Sequence, residues 1–152
     1  MPVRTIDSPL GPMLATSTDG ALTALRFDGE TGHDDACEVL DRVETQLARY
    51  FAGELDRFEL PLAPQGTPFQ KRVWDALLSI PPGETRSYAS IARQIDNPDA
   101  IRAVGAANGA NPIAIIIPCH RVIASDGTLH GYAGGLKRKQ YLLDLEAQTL
   151  FA

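Results

Sequence analysis

A small α/β domain followed by a mainly α-helical domain with a helix-turn-helix is the fold that this 152-residue sequence predicts. Three observations lead there. Asp19-Gly20, set between the runs 13–18 and 22–27, is a hairpin signal, because a two-residue turn between twisted strands needs positive φ. The stretch 63–66 carries Pro64 and Gly66 and interrupts the pattern. Beyond it, two short helical patterns flank the tight turn Asp96-Asn97-Pro98, as in a helix-turn-helix. The domains are thus residues 1–62 and 67–152, with a linker over 63–66.

Each element has a local reason. Ser8-Pro9-Leu10-Gly11 reads as a turn ahead of the hairpin. Val39, Leu40, Val43, Leu47, Tyr50 and Phe51 recur at helical spacing, and Gly53 supplies the stop. Phe58, Leu60 and Leu62 alternate, which predicts a further strand. Thr67 caps the next helix, with Pro68 at its first position and Gln70 three after the cap. Phe69, Val73, Ala76, Leu77 and Ile80 form its apolar stripe, and Pro81-Pro82-Gly83 ends it. Ser87 caps a short helix to about Ile95, and Asn97 and Pro98 start another over about 98–108.

That second helix is made of small residues: Ala100, Ala103, Gly105, Ala106, Ala107, Gly109 and Ala110, with Arg102 its one cation. They let another helix pack closely, the reading the pattern alone favours, or let a nucleic-acid backbone approach. The apolar run 113–117 predicts a buried extended segment. Ser125-Asp126-Gly127 is a turn, and 131–135 a glycine-rich loop able to bend around a small ligand. A last helix spans about 136–147, with Leu142 and Leu145 inward. Glu146 lies at the edge of that stripe, where it is solvated, pairs with a lysine, or holds the tautomer of a buried histidine.

Composition narrows the class. With 44% hydrophobic and 22% charged residues the chain is an ordinary globular one. No apolar stretch is long enough for a membrane span, and no signal-peptide pattern opens the sequence. Cys37 and Cys119 give neither a disulfide framework nor metal-ligand spacing, so a reducing cytoplasm is expected. The net charge of −5 argues against a nucleic-acid partner until it is divided. Residues 1–66 hold 5 Lys/Arg against 12 Asp/Glu, whereas 67–152 hold 9 against 7, a modest basic excess.

Chemistry concentrates at Pro118-Cys119-His120-Arg121-Val122. A buried thiol is ordinarily inert, but a neighbouring imidazole can take its proton and cations favour the thiolate. Adjacency in sequence does not fix adjacency of side chains, so Cys-His alone leaves a structural cysteine open.

The wider pattern resembles one family, the O6-alkylguanine-DNA alkyltransferases. The resemblance rests on Gly66-Thr67-Pro68-Phe69-Gln70, Val73-Trp74, Ile80-Pro81, Ser87-Tyr88, Arg102-Ala103-Val104-Gly105, Asn111-Pro112, Pro118-Cys119-His120-Arg121-Val122, Gly131-Tyr132-Ala133-Gly134-Gly135 and Leu142-Leu143-Asp144-Leu145-Glu146. It covers 67–146 with matching spacings, while residues 1–62 resemble the family only loosely.

The resemblance implies DNA repair by stoichiometric transfer of an alkyl group from O6-alkylguanine to Cys119, the target nucleotide being flipped out of the duplex. It implies His120 as the base, acting through a bridging water, and Glu146 as the carboxylate orienting it. Tyr88 and Arg102 match the residues that extrude the nucleotide, and Tyr88 also suits the leaving group. Ala103, Gly105, Asn111 and Arg121 are expected at the DNA, with Asn111 also bracing the turn before the cysteine segment. Asn111, Val122, Tyr132 and Ala133 are expected around the pocket, the carbonyls of Cys119 and Val122 reading the guanine amine. The partner implied is double-stranded DNA, met through the minor groove by a monomer, with no cofactor and no membrane. O4-alkylthymine as a substrate and clustering on DNA stay open.

Some family members carry zinc in the N-terminal domain; Cys37 and His33 cannot make that site alone, so no metal is expected. Ala114 stands where some relatives have proline. A non-enzymatic lesion binder would lack Cys119, a thiol hydrolase would need an oxyanion hole, and a helix-turn-helix regulator would need an effector domain.

Overall fold

Asp19 and Gly20 take φ of 51° and 79°, the left-handed pair that a tight hairpin demands. They join β2 (Met13–Thr18) to β3 (Ala21–Arg26), and β1 (Val3–Ile6) pairs antiparallel with β2, giving the order β1-β2-β3. This computed structural model describes residues 1–27 and 31–149. The strands are followed by α1 (Glu38–Phe51), whose Val39, Leu40, Val43 and Leu47 are buried, as are Ile6, Met13, Ala15, Leu22 and Leu25 of the sheet. Burial alternates strictly along β2, the signature of a sheet with one covered face. Arg4 is buried too, and its guanidinium holds Asp41 of α1 at 2.5 Å and the carbonyl of Asp35 at 2.8 Å.

The chain divides into two compact units, residues 1–65 with 112–114, and 66–111 with 115 onward. The return of 112–114 to the first unit is not visible in any periodicity. Leu25 N–H donates to the Pro112 carbonyl at 2.9 Å, and Ala114 N–H to the Leu25 carbonyl at 2.9 Å. Two predicted strands are corrected here. Residues 58–62 form no strand, only a bridge between Leu22 and Leu62, because Pro61 and Pro64 interrupt the donors a ladder requires. The run 113–117 is buried but turns after its bridge at Ile113, with Ile115 at φ 70°. That conformation is strained for a β-branched residue by about 1–3 kcal/mol.

In the second unit, α2 (Pro68–Leu78) starts with the predicted capping box: Thr67 Oγ1 accepts from Gln70 N at 3.1 Å, and Gln70 Oε1 accepts from Thr67 N at 2.9 Å. Ser87 Oγ accepts from Ser90 N at 3.0 Å and caps α3 (Tyr88–Gln94). α4 (Ile101–Gly109) begins about three residues later than expected, since Asp96 takes φ 59° and the chain keeps turning to Ala100. β4 (Arg86–Ser87) pairs parallel with β5 (Val122–Ile123), and α5 runs Leu136–Thr149. Trp74 of α2 is the anchor, its Nε1–H donating to the Ala107 carbonyl of α4 at 2.9 Å.

Gly66 lies against that tryptophan. A Cβ there would sit 2.5 Å from Trp74 Cη2 and 2.7 Å from Gln70 Oε1. Gly66→Ala is therefore expected to cost about 1–3 kcal/mol by overpacking, against about 1 kcal/mol for losing the cap in Thr67→Ala. Urea unfolding of both variants checks this; a Gly66→Ala protein as stable as the parent would contradict the packing.

Candidate active site

After Pro118 the backbone makes a 3-10 turn, Cys119–Arg121, before entering β5. The turn buries three successive side chains, where an extended strand would have pointed them to alternate faces. Exposure is 6% for Cys119, 0% for His120 and 7% for Arg121. Cys and His at this position are therefore both interior.

Their polar partner comes from α5. Glu146, 2% exposed, accepts from His120 Nε2 at 2.8 Å, from Arg121 Nε at 2.9 Å and from Arg121 Nη2 at 2.8 Å. Arg121 Nη1 reaches the Ile80 carbonyl at 2.6 Å, just beyond α2. Burial alone would raise the Glu146 carboxyl, but the hydrogen bonds and charges of His120 and Arg121 outweigh it and hold it at about 2. An ionised carboxylate only accepts, so His120 carries its proton on Nε2. Nδ1 is then an unprotonated lone pair, and it is buried without a protein partner. Burial also lowers the imidazole from its ordinary 6.5, Glu146 opposing and Arg121 and Lys139 assisting, so the ring is neutral at pH 7. Since Nδ1 bonds no protein atom, it does not hydrogen-bond the thiol directly.

The thiol has its own surroundings. Burial pushes Cys119 up, while a hydrogen bond with Asn111 and the charge of Lys139 pull it down. Asn111 Nδ2 also donates to the Ile117 carbonyl at 2.7 Å, across the turn that precedes the cysteine. Tyr88 is half-buried at the start of α3, its hydroxyl donating to the His130 carbonyl at 3.3 Å. Tyr132 is buried with its hydroxyl unpartnered, and burial followed by the proximity of Cys119 raises that phenol. Ala133 beside it is exposed. The Cys119 carbonyl accepts from Asn108 Nδ2 at 3.3 Å and from the backbone N–H of Val122, and the Val122 carbonyl accepts from Lys139 Nζ at 2.6 Å.

On α4, Val104, Ala107 and Asn108 are buried, while Arg102, Ala103, Ala106 and Gly109 are exposed. The small residues divide by face: Ala107 packs inward, and the rest form a bare surface beside Arg102. The pattern's preference for helix packing therefore holds for one side only. Gly105 is half-buried, with the Tyr88 ring 3.9 Å from where its Cβ would be. Arg121, expected at the DNA, is corrected: its guanidinium is turned inward onto Glu146 and Ile80.

Two site residues escaped the sequence reading. Asn108 sits on the Cys119 carbonyl, and nothing in an alanine-rich helix marks it. Lys139 looks like part of a solvated cationic run, Lys137-Arg138-Lys139, yet it is 0% exposed. Its spacing to Leu142 and Glu146, three and seven positions on, was the available signal for the buried face.

Comparison with known proteins fits this arrangement. The family model of the 6-O-methylguanine DNA methyltransferase DNA-binding domain matches residues 68–148, and that of its ribonuclease-like domain matches 1–64. The methylated-DNA–protein-cysteine methyltransferase of Mycobacterium bovis is 52% identical over 149 residues, covering 94% of this chain and 90% of the relative. That of Methanosarcina barkeri is 50% identical, covering 95% and 96%. The crystal structure of Mycobacterium tuberculosis OGT in complex with DNA is similar at TM-score 0.90 and 50% identity, covering 98% of this chain and 94% of that one. By these matches and by its Cys119-His120-Glu146 constellation, the chain belongs to the methylated-DNA–protein-cysteine methyltransferase family.

Proposed function

We propose that this protein repairs O6-alkylguanine in duplex DNA by moving the alkyl group onto Cys119, once per molecule. The observation that carries the reading is the buried imidazole of His120, oriented through Nε2 by Glu146 and left with a free basic Nδ1, next in sequence to a buried thiol.

The chemistry follows from those atoms. Nδ1 takes the thiol proton through a bridging water, and the imidazolium formed is stabilised by the Glu146 carboxylate. The thiolate attacks the alkyl carbon; a carbon–sulfur bond forms as the carbon–oxygen bond breaks, and the electron pair leaves with the guanine oxygen. Tyr88 donates its proton to the departing base, which leaves as guanine, and the proton held on His120 restores the phenol through water, so the sulfur proton ends on the base. The thioether is not hydrolysed, so no second turnover follows.

The target is inside the stack until it is flipped, at a cost of a few kcal/mol that is smallest for a damaged pair. The bare face of α4 enters the minor groove, where small side chains permit close approach and Arg102 fills the vacated place. Ala103 and Gly105 line that approach, Tyr88 crowds the phosphate, and Asn111, Val122, Tyr132 and Ala133 surround the extruded base. The protein acts as a monomer in the cytoplasm.

Mass spectrometry after mixing with a duplex containing O6-methylguanine is expected to find one methyl on the Cys119 peptide and none after Cys119→Ala. Methyl on Cys37, or more than one equivalent of repaired base per protein, would refute the assignment.

The network also sets an acid limit. Glu146 titrates lower folded than unfolded, so its stabilisation is complete above about pH 4.5 and is lost toward pH 2. His120, lowered from 6.5, acts in the same direction, since unfolding lets it take up a proton as the pH falls below that value. Glu146→Gln leaves a buried guanidinium unpaired and is expected to cost about 3–5 kcal/mol at pH 7. Urea unfolding across pH 3–7 should show the gap to the parent closing below about pH 4.5; a gap independent of pH would contradict it.

A further inference from the structure

The chain's second thiol opens onto a space that the repair chemistry does not use. Cys37 stands at the N-cap of α1, in the wall of a cavity of about 320 Å3 within the first unit. Ser17 of β2, Asp19 of the hairpin, and Glu38 and Arg42 of α1 line the same cavity. Its volume falls within the range of small-molecule sites, roughly 300–1,000 Å3. The thiol is half-buried, sheltered by the fold yet within reach of a molecule that enters.

The surroundings act on the sulfur from three elements. Arg4 of β1, 6% exposed, grips the chain on both sides of Cys37, donating to the Asp35 carbonyl at 2.8 Å and the Asp41 carboxylate at 2.5 Å. Its buried Nε has no hydrogen-bond acceptor. The Leu40 amide is foremost in lowering the thiol, burial opposes it, and Ser17, the Val39 amide and the charge of Arg4 assist. The carboxylates nearby do little to undo this. Asp34, Asp41 and Glu44 are paired with Arg4, while Asp19 and Glu38 are exposed, where water and salt screen them.

The cavity also carries charges of both signs. Asp19 and Glu38 supply carboxylates, and Arg42 a guanidinium held in place by the Glu59 carbonyl at 2.6 Å. Such a wall suits a small molecule bearing an ammonium group, carboxylates and sulfur.

We propose that this cavity is a modification site, at which Cys37 forms a mixed disulfide with a low-molecular-weight disulfide built from amino acids, such as glutathione disulfide. The Cys37 sulfur gives its proton to solvent and attacks one sulfur of the incoming disulfide. A new sulfur–sulfur bond forms as the old one breaks, and the electron pair leaves with the departing glutathione thiolate. Cys37 is oxidised and one glutathione is reduced, so no further oxidant is needed. A second thiol reverses the step, unlike the thioether proposed at Cys119. The site lies on another sulfur and its test uses no DNA, so it stands or falls separately from the repair reading.

The protein is mixed with glutathione disulfide at pH 7, folded and unfolded in urea, and the adduct is mapped by mass spectrometry. It is expected on Cys37 and not on Cys119, forming at least about tenfold faster in the folded chain. Folding is also expected to favour glutathione disulfide over the uncharged bis(2-hydroxyethyl) disulfide, and Arg42→Gln to remove most of that preference. An adduct on Cys119 in its place, or a folded rate no greater than the unfolded one, would overturn the proposal. So would a preference that Arg42→Gln leaves unchanged, which would mean an exposed thiol with no recognising cavity.

Discussion

Three hydrogen bonds converge on one buried carboxylate, and the site depends on them. Glu146 joins α5 to the 3-10 turn through His120 and Arg121, and Arg121 extends the connection to the carbonyl of Ile80. Removing three polar groups from water is unfavourable unless each finds its partner, and here the partners are bidentate or charge-assisted. The arrangement fixes the imidazole tautomer, because an ionised acceptor on Nε2 leaves Nδ1 as the base. Arg121 is therefore valuable where it is buried. A surface arginine would add one weak phosphate contact, whereas this one keeps the carboxylate ionised and in place.

That trade bears on how little positive charge the exposed face of α4 carries. Arg102 is the one cation of α4, and the residues beside it on the exposed face are alanine and glycine. Long-range attraction of DNA to a chain of net charge −5 is weak, so in the proposed function affinity comes from close approach and from side chains inserted into the duplex. Small residues suit the proposed approach because they add little bulk between the helix backbone and a groove wall.

Elements with a local cause were legible in the sequence. The Asp19-Gly20 hairpin, the Thr67-Gln70 capping box and the Ser87 cap are decided by residues within four positions of each other. The strands predicted at 58–62 and 113–117 were not, because alternation and apolarity say nothing about available donors or about a chain that crosses between units. At the site, Cys119 and His120 stood out by their adjacency, whereas the pairing of Glu146 with that histidine followed only from the family resemblance. Lys139 was hidden in a cationic run, and only its spacing to Leu142 and Glu146 marked it as lying on the inward face of α5. Asn108 had no signal, as its partner is a backbone carbonyl eleven residues away.

The two cysteines show why acidity alone does not choose the nucleophile. Cys37 precedes α1, half-buried, and the backbone N–H of Leu40 is foremost among the groups that lower its thiol; burial opposes them. Cys119 is raised by burial, so the two thiols are shifted in opposite directions. Cys119 differs in having an imidazole with an unpartnered Nδ1 in its own turn, and in the proposed mechanism it ionises when that base takes its proton. For a residue used once, this is the favourable arrangement: a thiol kept protonated and covered is protected from oxidation. Its reactivity is then confined to the moment when a base-derived alkyl group occupies the space beside it.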